Sequence, residues 1–127
     1  MREQVKALRG TKDLLPTEAK LWTTLEAKAR AVLNAFCYKE IRVPVIEESS
    51  LFVRSLGAGT DIVEKQMFTF IDRGERSITL RPEATASVVR AYLENNLVNE
   101  YGFIKLFYMG PMFRAERPQK GRYRQFH

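Results

Sequence analysis

The chain is expected to fold as an α+β domain, a mainly antiparallel sheet with flanking helices, and three stretches carry that expectation. Trp22, Leu25, Ala29, Val32 and Phe36 recur at spacings of 3, 4, 3 and 4, which makes one apolar stripe on a helix. Residues 68–72 and 77–80 read as strands, and the short segment Arg73-Gly74-Glu75-Arg76 joins them as a hairpin. From Phe113 to the end the pattern is strand, basic loop and return strand. Strands joined by hairpins beside helices build an α+β layer arrangement.

Bulk properties narrow the class. A length of 127 residues allows one compact domain, and 45% hydrophobic residues suffice for a core. No apolar run reaches the roughly 18 residues that a membrane span needs. The opening MREQVKALRG has charges but no apolar h-region, so it is not a secretory signal. Cys37 is the one cysteine, so no internal disulfide can form, which suits a reducing cytoplasm. It is expected to be a small buried hydrophobe. Of the net charge of +6, residues 114–127 supply +4, from five Arg/Lys against one Glu. That concentration favours a local anion site over a broad nucleic-acid surface.

In chain order, Leu8-Arg9-Gly10-Thr11-Lys12-Asp13-Leu14-Leu15-Pro16 is an ordered arm expected to pack on the domain. Pro16 suits the first helical position, and Glu18 in the first turn complements the helix dipole. The striped helix runs about five turns. Residues 38–43 alternate as a strand, which Pro44 ends. Residues 49–56 form a short helix, with Ser49 or Ser50 as cap and Gly57 as stop. Residues 61–67 add a further turn or two. After the hairpin, Arg81-Pro82-Glu83-Ala84-Thr85 marks a strand-to-helix junction, and residues 84–94 continue as a helix facing inward through Val88, Ala91 and Tyr92. A Glu at that helix start is accounted for simply by the dipole. Asn95-Asn96 ends the helix, 103–108 is an apolar strand, and Gly110-Pro111 is a kink.

In the closing stretch, alternation over 113–116 puts Arg114 and Glu116 on one face. Pro118 and Gly121 break regular structure, so 117–122 is a loop carrying Arg117, Lys120 and Arg122. A basic hairpin is ordinarily a solvated loop. Here it stands over an Arg and a Glu on a sheet floor, an arrangement suited to a polyphosphate with an amino group nearby.

The string ERPQKGRYRQFH, with the Met112-Phe113-Arg114 before it, resembles motif 2 of the class II aminoacyl-tRNA synthetases in its histidyl-tRNA synthetase form. The Arg9–Pro16 opening, the helix–strand–Pro44 unit (similar to motif 1) and Arg81-Pro82-Glu83-Ala84-Thr85 carry the resemblance across nearly the whole chain. It implies ATP-dependent activation of histidine, then transfer to tRNA(His). In that family Arg114 would bridge the histidine carboxylate and the ATP α-phosphate, the catalytic role. Glu116 would accept from the adenine amino group, Arg122 would hold the outer phosphates, and Phe126 would lie against the adenine ring. Glu83 and Thr85 would receive the histidine ammonium. Mg²⁺ would bridge phosphate oxygens, and no protein-held metal site is implied. Tyr123, Arg124 and Gln125 either support the loop or approach the tRNA acceptor end. Motif 1 implies a homodimer through the striped helix and its strand. The family has Gly where Cys37 stands, and a cysteine disfavours positive φ, so a different helix ending is expected there.

The resemblance also implies that residues 1–127 are the N-terminal part of the catalytic domain, stopping in or just after motif 2. Motif 3 and the anticodon-binding domain are not in the sequence. The loop 117–122 is then expected to have nothing in the chain to order it, and His127 to be an ordinary strand residue. Two other readings compete: a non-catalytic paralogue such as the regulatory subunit of ATP phosphoribosyltransferase, and a dimerising or RNA-binding module. The joint presence of Arg81-Pro82-Glu83, Thr85 and the hairpin string favours the synthetase.

Overall fold

The first helix starts where Pro16 permits and runs to Ala35 (α1), with Glu18 in its first turn. The structure is a computed structural model describing residues 4–127. In order there follow β1 (Tyr38–Glu40), β2 (Ile46–Glu48), α2 (Ser49–Leu56), a π-helical turn (Ile62–Gln66), β3 (Phe68–Ile71) and β4 (Ser77–Leu80). Then come α3 (Thr85–Glu94), α4 (Leu97–Tyr101), β5 (Lys105–Phe107), β6 (Met112–Phe113) and β7 (Gln125–Phe126). β2, β4 and β3 form one antiparallel sheet, and β6 pairs antiparallel with β7. The α+β reading holds. One pair departs from the antiparallel expectation: β1 runs parallel to β5, with Tyr38 opposite Lys105 and Glu40 opposite Phe107. α4 is also an addition, in the stretch between the Asn95-Asn96 helix end and the strand expected from 103.

Register decides where the core lies. Glu47 and Thr69 both stand opposite Thr79, so all three share one face of the three-stranded sheet. That face packs under α2, against which α3 lies, and Thr79 is fully buried there. Its hydroxyl bonds those of Ser49 at 2.7 Å and Thr69 at 2.9 Å, and Ser49 also reaches Ser77 at 2.8 Å. Ser49 is therefore not the α2 cap: Glu48 occupies that position, and Ser49 instead satisfies a buried hydroxyl. Phe52, Ala84, Ala86, Ala91 and Phe107 complete the apolar core. Arg90 ties α3 to β2 through Glu47 at 2.8 Å.

The striped helix is the exception to core formation. α1 buries no residue, and Leu25, Val32 and Phe36 are 60%, 58% and 65% exposed. It is held at its end by Arg30–Glu40 (3.1 Å) and by Lys105, whose Nζ donates to the Phe36 carbonyl. Cys37 follows with φ of 64° and is exposed, not buried. The helix thus ends in the left-handed conformation the family's glycine would favour, and the cysteine carries that strain.

Asp72 organises the β3–β4 turn. Its Oδ1 accepts from the Gly74 and Arg76 N–H groups, and Oδ2 accepts from Arg76 Nε. The Arg76 backbone N–H is the main cause holding the Asp72 carboxyl below its usual range, against partial burial. The stabilisation is complete above the unfolded Asp value of about 3.9 and is lost as pH falls through the lower folded value. The Gly74 and Arg76 amide resonances should therefore shift together during acid titration below about pH 3.9, and Asp72→Asn should remove that shared titration. Amides insensitive to this substitution would disprove the turn's dependence on the carboxylate.

Candidate active site

The closing hairpin begins at the Gly110-Pro111 kink. Met112 faces Phe126 and Phe113 faces Gln125. The Arg114 N–H then donates to the Arg124 carbonyl at 2.8 Å, which extends the pairing by one rung. The Ala115 N–H turns away to the Gln66 carbonyl in the π-helical turn, at 2.7 Å. The regular strand is therefore shorter than the expected 113–116. The loop is also tighter than expected: Gln119 bridges Arg122 across the Lys120-Gly121 turn, with Gly121 at φ 77°.

Arg114, Glu116, Arg122 and Phe126 line one open cavity of ≈510 Å³, together with Gln66 and Tyr123. The four hairpin positions singled out in the sequence thus converge. The Arg114 guanidinium stands 5.8 Å from the Phe126 ring centroid. Arg122 and Glu116 approach at 3.8 Å, a long and largely solvated pair worth at most about 1 kcal/mol. A ligand offering phosphate to one and an amino group to the other could part them at small cost. Gln66 had no sequence signal, because only the π-helical turn brings it to the hairpin.

Glu83 and Thr85 sit apart from this cavity, at the start of α3. The Glu83 carboxylate accepts from the Thr85 N–H at 2.6 Å and the Ala86 N–H at 3.1 Å. It therefore does satisfy the helix terminus, as the dipole reading expects. Two oxygens with about four acceptor sites still leave room for a further donor. The Thr85 hydroxyl pairs with Tyr108 OH at 2.8 Å. The two groups connect through Pro82, whose carbonyl accepts from Arg114 Nε at 3.3 Å.

Arg81, given no role from sequence, fixes that connection. It is 5% exposed. Its Nε donates to the Pro111 carbonyl at 2.9 Å and Nη1 to the Val43 carbonyl at 3.1 Å. Its backbone N–H donates to Val45, and its carbonyl accepts from Phe113. Burial pushes the guanidinium's pKa down, with Tyr108 and Glu47 opposing; an arginine nonetheless stays charged. Gly110 makes the fit possible, since a Cβ there would lie 2.8 Å from Arg81 Nη2.

A second, mainly apolar cavity of ≈430 Å³ lies between α1 and the approach to β6, lined by Trp22, Leu25, Ala29, Tyr108, Met112 and His127 among others. His127 is exposed, its ring 5.3 Å from that of Trp22. Among the described residues, no group of three or more His, Cys, Asp or Glu side chains could hold a metal, and no helix is long and apolar enough to cross a membrane.

The sequence profile of the histidyl-tRNA synthetase family matches residues 10–127. A histidine–tRNA ligase of Geobacter metallireducens is 55% identical over 123 residues, covering 97% of this chain and 30% of that protein. The apo histidyl-tRNA synthetase of S. aureus superposes with a TM-score of 0.79 at 43% identity, over 97% of this chain and 31% of that one. A Bacillus halodurans structure described as an ATP phosphoribosyltransferase regulatory subunit/histidyl-tRNA synthetase gives a TM-score of 0.78 at 21% identity, over 99% of this chain and 31% of that one. That last likeness concerns the fold alone. The chain spans about 30% of the length of the curated relatives it matches.

Removing Arg81 should leave the half-buried Pro111 and Val43 carbonyls without their donors. Arg81→Met is expected to lower the unfolding free energy by about 2–4 kcal/mol in urea titration. Arg114→Met, which gives up one long bond at a cavity wall, should cost less than about 1 kcal/mol. Equal losses would contradict the division between a structural and a ligand-facing arginine.

Proposed function

This chain belongs to the histidyl-tRNA synthetase family, and from that membership we propose that it is the N-terminal part of the catalytic domain of a histidine–tRNA ligase, holding ATP and histidine for activation. The convergence of Arg114, Glu116, Arg122 and Phe126 on one cavity is the observation that carries this reading. The protein containing the segment would join histidine to ATP with loss of pyrophosphate, then pass the acyl group to tRNA(His).

In-line attack of a carboxylate on a phosphorus centre needs positioning and charge stabilisation more than covalent help. Arg114 is the catalytic residue of the proposal. Its guanidinium fork would draw the histidine carboxylate and the ATP α-phosphate together, and would stabilise the charge that builds on the pentacovalent phosphorus. Glu116 would turn from Arg122 to the adenine amino group, which would free Arg122 for the outer phosphates. Phe126 offers a flat apolar face to the base. Glu83 and the Thr85 hydroxyl would accept from the histidine ammonium, Glu83 while still capping α3. Mg²⁺, when bound, would neutralise phosphate charge.

The competing readings are less well supported. The regulatory-subunit likeness stands at 21% identity, whereas the ligase relative stands at 55%. A nucleic-acid module would spread its basic charge, and here +4 of the +6 lies within 114–127.

The test is histidine-dependent exchange of pyrophosphate into ATP by the full-length enzyme. Arg114→Ala should reduce exchange by a factor of about 100 or more with circular dichroism unchanged. Glu83→Gln should raise the KM for histidine far more than that for ATP. Near-wild-type exchange in the first variant, or equal weakening of both substrates in the second, would overturn the assignments.

Homodimerisation is part of the same proposal. Leu25, Val32 and Phe36 are exposed on α1 beside β1, a surface that a second copy would cover. Sedimentation velocity of the full-length enzyme should show a dimer that Val32→Asp weakens. A strict monomer at high concentration would sink this reading.

A further inference from the structure

The sequence leaves the basic loop unsupported, but the structure supports it from the opposite end of the chain. The Arg124 N–H donates to the Gly10 carbonyl at 2.6 Å, and the Arg124 carbonyl accepts from the Arg114 N–H at 2.8 Å. One residue of the return strand therefore stands between the N-terminal arm and the strand bearing Arg114. The Arg124 side chain also holds the Glu116 carbonyl, at 3.3 Å.

Gly10 is fitted to this place in two ways. Its φ is 89°, which side-chain-bearing residues rarely adopt. A Cβ built there would fall 2.7 Å from Pro118 Cγ and 2.8 Å from Arg124 Cγ. Pro118 lies in the loop and Arg124 just beyond it. The arm turns on itself beside Gly10, the Thr11 N–H and hydroxyl both donating to the Leu8 carbonyl. Lys12 ties it to α1 by pairing with Glu18 in the first turn at 2.8 Å.

We propose that Gly10 is a positioning residue: through its contact with Pro118 and Arg124, the N-terminal arm clasps the hairpin and sets the placement of Arg114, Glu116 and Arg122 toward the nucleotide. The inference rests on the reading of that hairpin as nucleotide-binding. A clasp on the hairpin acts on the nucleotide side of the site. Glu83 and Thr85 lie at the start of α3, which the arm does not touch through these bonds.

The experiment compares wild-type full-length enzyme with Gly10→Ala, and with Thr11→Val, which removes the hydroxyl bond to Leu8 and keeps a half-buried β-branched side chain of the same shape. Two readouts are taken. The first is backbone hydrogen exchange in peptides spanning residues 112–126. The second is the separate KM values for ATP and histidine in pyrophosphate exchange. The expected result for Gly10→Ala is faster exchange at the Arg114 and Arg124 amides and an ATP KM raised about tenfold, with the histidine KM changed less than about twofold. Thr11→Val should move the same quantities in the same direction by less. Unchanged amide exchange in both variants would overturn the clasp. So would a parallel rise in both KM values together with a general loss of thermal stability, because that describes a structural residue only. If Gly10→Ala does not fold, Thr11→Val decides by the same criteria. If wild-type enzyme shows no histidine-dependent exchange, the functional reading fails and the amide exchange alone decides the clasp.

Discussion

A buried guanidinium with backbone partners is the constraint on which this structure turns. Arg81 sits at 5% exposure, and its Nε and Nη1 donate to carbonyls from two distant segments, Pro111 and Val43. A charge taken out of water costs several kcal/mol unless its donors are satisfied. Those carbonyls are therefore not free to be elsewhere: the exit from β1 and the approach to β6 must both come to Arg81. Its backbone adds to this, giving its N–H to Val45 and its carbonyl to Phe113. Gly110 is where the chain passes closest, and any side chain there would displace the cation. Pro82 and Glu83 follow in sequence, so the position of α3 relative to the hairpin is fixed at the same point.

The rest of the interior is small and unusually hydroxylated. Thr79, fully buried, is satisfied by Ser49 and Thr69. Such a network holds its members in one geometry and penalises partial loss, since each orphaned hydroxyl would cost a hydrogen bond in a low-dielectric setting. Ser87, also fully buried, has no such partner among the described residues. Apolar area is left outside this core, on α1 above all, while β1 draws β5 alongside and Lys105 closes the end of the helix. Rigid backbone around Arg81, with solvated side chains at the cavity wall, suits a site whose scaffold is fixed and whose ligand-facing groups can exchange partners.

Local signals were legible in the sequence, and long-range ones were not. Pro16 and Gly57 bound α1 and α2 as punctuation predicts, and the β3–β4 hairpin and α3 follow periodicity and turn residues. Arg114 and Glu116 were legible from strand alternation and Arg122 from the basic loop, whereas Phe126 came only with the resemblance to motif 2. The parallel β1–β5 pair was not legible, since its strands lie far apart in sequence and no turn residue announces such a partner. Cys37 was misjudged on average behaviour: a lone cysteine is ordinarily buried, yet here it ends a helix with φ of 64° at the surface. Ser49 had the chemistry of a cap but was claimed by Thr79, and tertiary hydrogen bonding won over local preference. Arg81 and Gly10 were hidden for a common reason. Each acts on a segment distant in sequence, through a contact that only the fold creates.

The most direct test of the central claim is a structure of the full-length enzyme with histidine and a non-hydrolysable ATP analogue. The two ligands should meet around Pro82. The α-phosphate oxygens should lie on Arg114, the adenine against Phe126 with its amino group at Glu116, and the histidine ammonium at Glu83 and Thr85. Adenine lodged instead in the apolar cavity between Trp22 and Tyr108, or a nucleotide bound away from Arg114, would contradict the assignment of the site.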